Sequence, residues 1–346
     1  MQESALILTN GHFDSVFAKT THGLVRGPSR YVIAGVVDAR YTGQDAGVVL
    51  DGQPRGIPFF ESVVCALDVL PNKPSYCLVG VATVGGKLPV SLRSDLIVAA
   101  KHGLTLVNGL HQLLSEDPEL VLVATGGIVD IRKPKPASAL QFWTGEVLSI
   151  PTPRIAVLGM DCAIGKRTTA VNIRNTCRKR GIRAEMIYTG QTGWLQGLKH
   201  GFVFDATLND FVSGELEKAI LACYEDTCPD LILLEGQSAL RNPAGPAGSE
   251  FICSGGAKGV ILQHAPLRER FEDFDCVIPP VEEEIELIRL LGAEVWAITL
   301  FTRGMTDTQS VAAACQIEEQ CGVPVVRTLE DGVDRVVDEI YARVIA

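Results

Sequence analysis

A lysine that follows a glycine-bounded loop is the most distinctive chemical feature of this sequence. The apolar run over residues 155–158 predicts a short buried strand, which Gly159 ends, and Gly165 directly precedes Lys166. Apolar spacing then predicts a helix as far as Lys179. Backbone N–H groups of such a loop and the positive end of the helix dipole attract an anion, which the lysine neutralises. The pattern predicts a phosphate-binding P-loop, with these candidate cofactor-binding residues: Gly159, Asp161, Cys162, Gly165, Lys166, Arg167, Thr168 and Thr169.

The predicted P-loop departs from the usual pattern at two points. Five residues rather than four separate Gly159 from the Gly-Lys pair, and Arg167 takes the position of the Ser or Thr that ligates magnesium. An arginine binds phosphate through two hydrogen bonds but cannot ligate a metal. Phosphate binding is therefore preserved, whereas magnesium–ATP chemistry would need Thr168 to supply the hydroxyl. Coenzyme A fits this loop better because its diphosphate does not react, and no residue is predicted to be a metal ligand.

Polar residues follow the predicted strands in the second half of the chain. Glu235 ends the apolar run 231–234, as the acid of a Walker B strand does, and His264 follows the strand predicted over 259–262. Either side chain could act as a general base, and the alternative for both is a structural, hydrogen-bonded role. Because the carboxyl ends of parallel strands share one edge of a sheet, five loops are expected to meet there. The candidate substrate-binding residues on these loops are Gln191, Gln237 and Arg303.

Strands and helices alternate along the whole chain, which predicts an α/β protein of two domains. Residues 1–150 are predicted to form a Rossmann-like parallel sheet with a linker, and residues 151–346 a P-loop NTPase-like parallel sheet. In the first domain we predict strands over 31–37, 77–82 and 120–124, the last preceded by a helix through Leu110 and Leu114. The G-G-K sequence ending at Lys87 is interpreted as a tight turn rather than a second anion site.

Composition limits the partners and the compartment. The chain has 346 residues and a net charge of −10, which argues against a nucleic-acid partner and leaves a small anionic substrate. The start lacks a signal peptide and no apolar run could span a membrane, so we expect a cytoplasmic protein. The ten cysteines form no C-x-x-C pair, which predicts free, buried thiols rather than a zinc site. The sequence leaves open whether the chain forms a homo-oligomer.

Three motifs in order give the chain a family resemblance. They are G-M-D-C-A-I-G-K-R-T-T, then Y-T-G-Q-T-G, then L-L-E-G-Q, preceded by V-V-D-A-R, V-A-T-V-G-G-K-L-P and V-D-I-R-K-P. This order resembles a bacterial family catalogued as a domain of unknown function, in which a Rossmann-like domain precedes a P-loop domain. One branch acts as a D-glutamate N-acetyltransferase, so the resemblance implies acetyl-CoA as the acyl donor. The loop R-N-P-A-G-P-A-G-S-E after Glu235 differs from that branch and puts the acyl acceptor in doubt.

Three functions are compatible with these patterns. The first is an acyl-CoA-dependent N-acyltransferase acting on a small amino acid. The second is an ATP- and magnesium-dependent ligase or kinase, since the loop is also similar to that of dethiobiotin synthetase, with Glu235 or Asp161 holding the metal. The third is a non-catalytic nucleotide-sensing module. Polar groups at five strand ends exceed what a sensor needs, which favours an enzyme, and the loop favours the transferase.

Overall fold

The chain divides into two compact units in a computed structural model that describes residues 3–272 and 274–344. The first unit comprises the described residues up to Lys135 together with 191–199, and the second comprises 136–190 and the described residues from His200 onward. The predicted boundary lay near residue 150. The chain therefore leaves the first unit about 15 residues earlier than that and contributes one short segment to it later.

The first unit contains a parallel sheet with helices, as predicted. Within its described residues the strand order is β3-β2-β1-β4-β5-β6, the order of a doubly wound dinucleotide-binding fold. The strands are β1 (Ser4–Leu8), β2 (Val32–Val37), β3 (Phe59–Phe60), β4 (Tyr76–Val79), β5 (Thr105–Asn108) and β6 (Ile128–Asp130). The helices before the second unit are α1 (Lys19–Arg26), α2 (Ala46–Asp51), α3 (Val63–Val69), α4 (Val90–Lys101) and α5 (Pro118–Val123).

The central strand β1 was not predicted, although it pairs with both β2 and β4. Its apolar residues alternate between two cores: Leu6 and Leu8 pack on one face of the sheet, Ala5 and Ile7 on the other. A strand covered on both faces has no polar positions to give it a period of two. The short run A-L-I-L therefore lacks the alternation by which a half-buried strand is recognised.

The predicted strand over 120–124 is wrong, because residues 120–123 belong to helix α5 and Ala124 is its C-cap. The Asp117 side chain caps the helix by accepting hydrogen bonds from the N–H groups of Glu119 and Leu120, at 3.0 and 3.2 Å. Pro118 occupies the first helical position, where its missing N–H is not needed. The predicted helix through Leu110 and Leu114 is also wrong, since that region contains a loop and a single 3-10 turn after β5.

The second unit contains the predicted P-loop strand at the middle of its sheet. Among the described residues the order is β12-β11-β10-β7-β9-β8, with every pairing parallel. The strands are β7 (Arg154–Gly159), β8 (Ala184–Ile187), β9 (Leu231–Glu235), β10 (Gly259–His264), β11 (Glu294–Leu300) and β12 (Val325–Arg327). Because β10 and β9 flank β7, the carboxyl ends of all three strands are neighbours.

The helices of the second unit follow its strands. They are α6 (Lys166–Lys179), α8 (Val212–Thr227), α9 (Ser249–Cys253), α10 (Val281–Leu290), α11 (Asp307–Cys321) and α12 (Asp334–Val344). Helix α7 (Gln191–Leu195) lies between β8 and α8 in the chain but belongs to the first unit. None of the described helices is both long and apolar enough to cross a membrane.

All ten cysteines lie in the described ranges as free thiols. Three of them are buried, namely Cys77, Cys177 and Cys223, while four are exposed, so the predicted burial holds for a minority. Burial raises the pKa of the Cys177 thiol to about 11 and that of Cys223 to about 12. In residues 3–272 and 274–344 no three His, Cys, Asp or Glu side chains are grouped as a metal-binding set.

Candidate functional site

Two glycines shape the turn between β7 and α6. Gly165 precedes the helix with φ +100°, in the left-handed region, and provides no side chain to cap the first-turn N–H groups. Gly159 allows the Lys166 side chain to lie close, since a methyl group built on it would be 3.0 Å from Lys166 Cδ. The sequence thus places uncapped N–H groups and a lysine at one turn. This is the geometry of an anion-binding loop.

Lys166 spans the loop in this structure. Its Nζ donates to the carbonyl oxygen of Asp161 at 2.6 Å and to that of Ser238 at 2.8 Å. Ser238 lies beyond the end of β9 with φ +45°, a conformation that L-residues rarely adopt. The ammonium group of Lys166 therefore connects the P-loop to the loop after β9.

The buried carboxylate of Asp161 anchors the P-loop to residues 268 and 272. It is 1% exposed, and its Oδ2 accepts from Arg268 Nη1 at 2.8 Å and from the Glu272 N–H at 2.8 Å. Arg268 Nη1 also donates to the Cys162 carbonyl at 2.8 Å. The second oxygen of Asp161 lies 3.4 Å from Asn242 Nδ2. We predicted Asp161 to bind cofactor, but the structure shows its carboxylate engaged by the protein.

Three more side chains of the predicted loop, those of Thr169, Thr168 and Cys162, differ in their exposure. Thr169 is buried, and its hydroxyl donates to Gln263 Oε1 at 2.6 Å and lies 3.3 Å from the Thr328 hydroxyl. Thr168 is exposed at the surface of the same helical turn. Cys162 is partly buried, with its Sγ 3.6 Å from Ser238 Oγ. Of the two threonines, only Thr168 is exposed.

Glu235 and Arg167 form the charged part of the site. Glu235 ends β9 with 4% of its surface exposed, and its Oε2 accepts from the Thr189 N–H at 3.2 Å. Burial raises the pKa of the Glu235 carboxyl above its ordinary value, against the opposing effects of Arg167, the Thr189 N–H and Lys166. Burial likewise lowers the pKa of Arg167, and Glu235 opposes this. Arg167 makes no hydrogen bond within the described ranges.

His264 lies at the end of β10, the strand next to the P-loop strand. Its Nδ1 is buried and has no hydrogen-bond partner among the described residues. Burial lowers the pKa of His264 to about 4, with the charge of Glu282 opposing. The imidazole is therefore neutral at pH 7, so it can accept a proton or a hydrogen bond, although such a low pKa makes it a weak base.

Two of the predicted substrate-binding residues lie in the second unit and one lies in the first. Gln237 follows Glu235 and donates from Nε2 to the Thr189 hydroxyl at 3.1 Å. Arg303 is exposed on the loop after β11. Gln191 is buried at the start of α7, in the segment that belongs to the first unit. The second unit thus brings Glu235, Gln237, His264 and Arg303 to the strand ends of one sheet.

Two family descriptions match the chain. Residues 141–337 match the P-loop domain described as "Domain of unknown function (DUF1611_C)", and residues 39–134 match its Rossmann-like partner, DUF1611_N. The chain belongs to the DUF1611 family. This confirms the predicted family and the predicted order of its two domains.

Solved and curated relatives of this DUF1611 protein cover most of the chain. A crystal structure of a DUF1611 family protein from Anabaena variabilis is 28% identical, with a TM-score of 0.89 over 99% of this chain and 100% of that one. A D-glutamate N-acetyltransferase of Tritonibacter scottomollicae is 30% identical over 276 residues, 77% of this chain and 80% of the relative. Another, from Pseudoalteromonas sp, is 28% identical over 271 residues, 75% and 79% of the two chains.

Two side chains that support the DUF1611 P-loop were missed by sequence reasoning. Arg268 contacts Asp161 from 107 positions away, and no local pattern marks it. Asn242 lies in the Gly- and Pro-rich loop after Glu235, where its Oδ1 accepts from the Ala244 N–H at 2.9 Å. An Asn before Pro in such a loop is a turn signal, but it does not indicate a contact with the P-loop.

The lowered pKa of His264 predicts a pH-dependent loss of stability. The folded state excludes the proton that the unfolded chain binds below about pH 6.5, so this residue's contribution is lost as pH falls from 6.5 towards 4. Between pH 7 and pH 5 the loss should be about 2 kcal/mol. Thermal unfolding at pH 7 and at pH 5 checks this. His264→Asn should reduce the difference in Tm between the two pH values. His102→Asn, at an exposed position, should leave that difference as it is in the wild type. An unchanged pH dependence in His264→Asn contradicts the prediction.

Proposed function

We propose that this DUF1611 protein transfers an acetyl group from acetyl-CoA to the amine of a small amino acid. The observation that carries the proposal is the pair of cations at the P-loop. Arg167, directly after Lys166, has no hydrogen-bond partner among the described residues. The carboxylate of Asp161 is already engaged by Arg268 and the Glu272 N–H, so it is a poor candidate for magnesium. Relatives named D-glutamate N-acetyltransferase support the same activity.

In this proposal the P-loop holds the phosphates of the acyl donor. Lys166, Arg167 and the uncapped N–H groups of α6 bind the anion, and the donor supplies an activated thioester. A C–N bond forms as the C–S bond breaks, the neutral amine passes a proton to a protein base, and that proton then goes to the departing thiolate, so that coenzyme A leaves as the thiol. Acetyl-CoA therefore serves as a co-substrate rather than as a permanently bound group.

Glu235 is the stronger candidate for the base. A general base works best when its pKa lies near the working pH, and burial shifts the pKa of Glu235 upward, in that direction. His264, with a pKa of about 4, is neutral and better suited to accept a hydrogen bond from the substrate. The exposed guanidinium of Arg303 and the amide of Gln237 are the proposed contacts for the carboxylate of the acceptor. D-Glutamate, the substrate in the relatives' names, is the first acceptor to test.

The test of the proposed function is release of free thiol from acetyl-CoA. The protein is incubated with acetyl-CoA and the D- and L-forms of glutamate, aspartate and alanine, and thiol is monitored with a chromogenic disulfide. We expect amine-dependent thiol release with at least one acceptor. A parallel reaction with ATP and magnesium tests the dethiobiotin synthetase alternative. ADP formation without thiol release would reject the transferase.

Replacing Lys166 with methionine should weaken coenzyme A binding about 10- to 100-fold, since a hydrogen bond to a charged group contributes about 1.5–3 kcal/mol. Lys179→Met is the matched control, because Lys179 is exposed in the last turn of the same helix. Isothermal titration calorimetry with coenzyme A measures both, and Tm confirms folding. Equal affinity in wild type and Lys166→Met would contradict a phosphate-binding role for the lysine.

A further inference from the structure

The backbone of Gln263 is fixed beside the first residues of the P-loop. Gln263 lies in β10 and pairs in register with Gly159 of β7. Its carbonyl oxygen accepts from the Met160 N–H at 3.0 Å. The side chain is buried, with 2% of the residue exposed. Gln263 therefore has little freedom to move relative to the loop.

Two hydroxyl groups orient the side-chain amide of Gln263. Its Oε1 accepts from Thr169 at 2.6 Å and from Thr299 at 2.7 Å. These two bonds use both lone pairs of the oxygen, so Nε2 must point to the other side. Nε2 makes no hydrogen bond with any residue in the described ranges. A methyl group built on Gly165 would lie 3.9 Å from Nε2, so the amide faces the P-loop.

We propose that Gln263 binds ligand at the P-loop, with its Nε2 donating a hydrogen bond to an oxygen of the bound phosphate ester. Although only 2% of Gln263 is exposed, Nε2 is not one of the fully buried side-chain atoms that lack a partner in the described residues, so a ligand oxygen at the loop can reach it and accept its hydrogen bond. The loop next to it presents Lys166, Arg167 and uncapped N–H groups, all suited to an anion. The identity of the ester as coenzyme A rests on the proposed function, but the contact applies to any phosphate ester held by the loop.

The test measures the affinity of Gln263 variants for coenzyme A and for ADP by calorimetry at pH 8. Gln263→Met removes the Nε2 donor, and we expect binding of whichever ester the wild type binds to weaken about tenfold. Gln263→Glu keeps an oxygen for both threonines but places an acceptor against the phosphate, so a larger loss is expected. Thr299→Val removes one hydrogen bond to Oε1 and leaves Nε2 in place. This control should bind within about threefold of wild type.

Each outcome supports or overturns the inference. Weakening confined to the two Gln263 variants, with Tm showing that they fold, supports it. Affinity within twofold of wild type in both Gln263 variants overturns it, as does equal weakening in Thr299→Val, which would show a purely structural role. A wild type that binds neither ester also overturns it. Failure of the thiol-release assay, with the binding pattern intact, rejects the transferase but leaves the Gln263 contact standing.

Discussion

Glu235→Gln is expected to lower kcat for acetyl transfer by about 10²- to 10⁴-fold, the usual contribution of a general base. Glutamine keeps the length of the side chain and an oxygen for the Thr189 N–H, so the change removes proton transfer more than geometry. The rate of the wild type should rise with pH through the raised pKa of Glu235, because the base must be ionised. This rise should be absent from the pH–rate profile of Glu235→Gln.

The same substitution should raise stability at neutral and alkaline pH. Because the folded-state pKa of Glu235 lies above its unfolded value, protonation stabilises the folded state at low pH. That stabilisation is lost as pH rises through the folded pKa, where a buried carboxylate must carry its charge. Glutamine never ionises, so Glu235→Gln should have the higher Tm at pH 8, and this advantage should shrink as pH falls towards 4.5. Lower activity with higher stability is the pattern of a functional buried acid.

Glu217 provides a matched control in the same unit. It is also a fully buried glutamate, and its oxygens accept from the Thr144 N–H at 2.6 Å and the Val147 N–H at 3.2 Å. Glu217→Gln should lower Tm and leave kcat unchanged, the opposite of the result expected at Glu235. A Glu235→Gln variant with kcat within tenfold of wild type would reject Glu235 as the base.

The sheet of the second unit could be predicted well because its strands are continuous apolar runs that end at polar or glycine residues. Residues 155–158 and 231–234 were predicted and lie in β7 and β9. Buried parallel strands give this signal whatever their neighbours. Strand order was not predicted, because pairing depends on contacts between residues far apart in the chain.

The errors in the first unit arise where an apolar run alone does not distinguish a strand from a helix. The run L-V-L-V over 120–123 is apolar enough for a buried strand, and only the Asp-Pro pair before it indicates a helix start. Local capping therefore decided the structure where hydrophobicity was ambiguous. At β1 the opposite holds, since the chain has no local cue and becomes a strand because both faces are covered by apolar residues.

The positions of the candidate site residues along the chain could be predicted, but the hydrogen bonds between them could not. The motif placed Lys166 directly after the loop that follows β7, and the apolar runs placed Glu235 and His264 at strand ends, as the structure has them. Their roles in binding and catalysis stay predictions. The motif could not show that Thr169 donates to Gln263, 94 positions away, or that Lys166 reaches Ser238. Such contacts follow from tertiary packing, which leaves no periodic pattern in one sequence.

Breaking the Arg268–Asp161 ion pair should have the largest effect on stability. In Arg268→Met the carboxylate of Asp161, 1% exposed, loses its charge partner. Removing one partner of a fully buried pair destabilises by about 3–5 kcal/mol, and because the Arg268 side chain is 24% exposed we expect the lower end of that range. Arg270→Met is the matched control two residues away, since Arg270 pairs with Asp275, which is 93% exposed. A surface pair of that kind contributes about 0–1 kcal/mol. Denaturant unfolding of both variants measures the difference.

A double-mutant cycle separates the ion pair from other roles of Arg268. Asp161→Asn removes the charge that Arg268 neutralises, so adding Arg268→Met to it should destabilise less than Arg268→Met does alone. If the two losses simply add, the pair contributes no coupling and the arginine acts through its bond to the Cys162 carbonyl. The coupling matters for function because Asp161 and Cys162 shape the loop that carries Lys166. Arg268→Met should therefore also weaken coenzyme A binding, while Arg270→Met should leave the affinity unchanged.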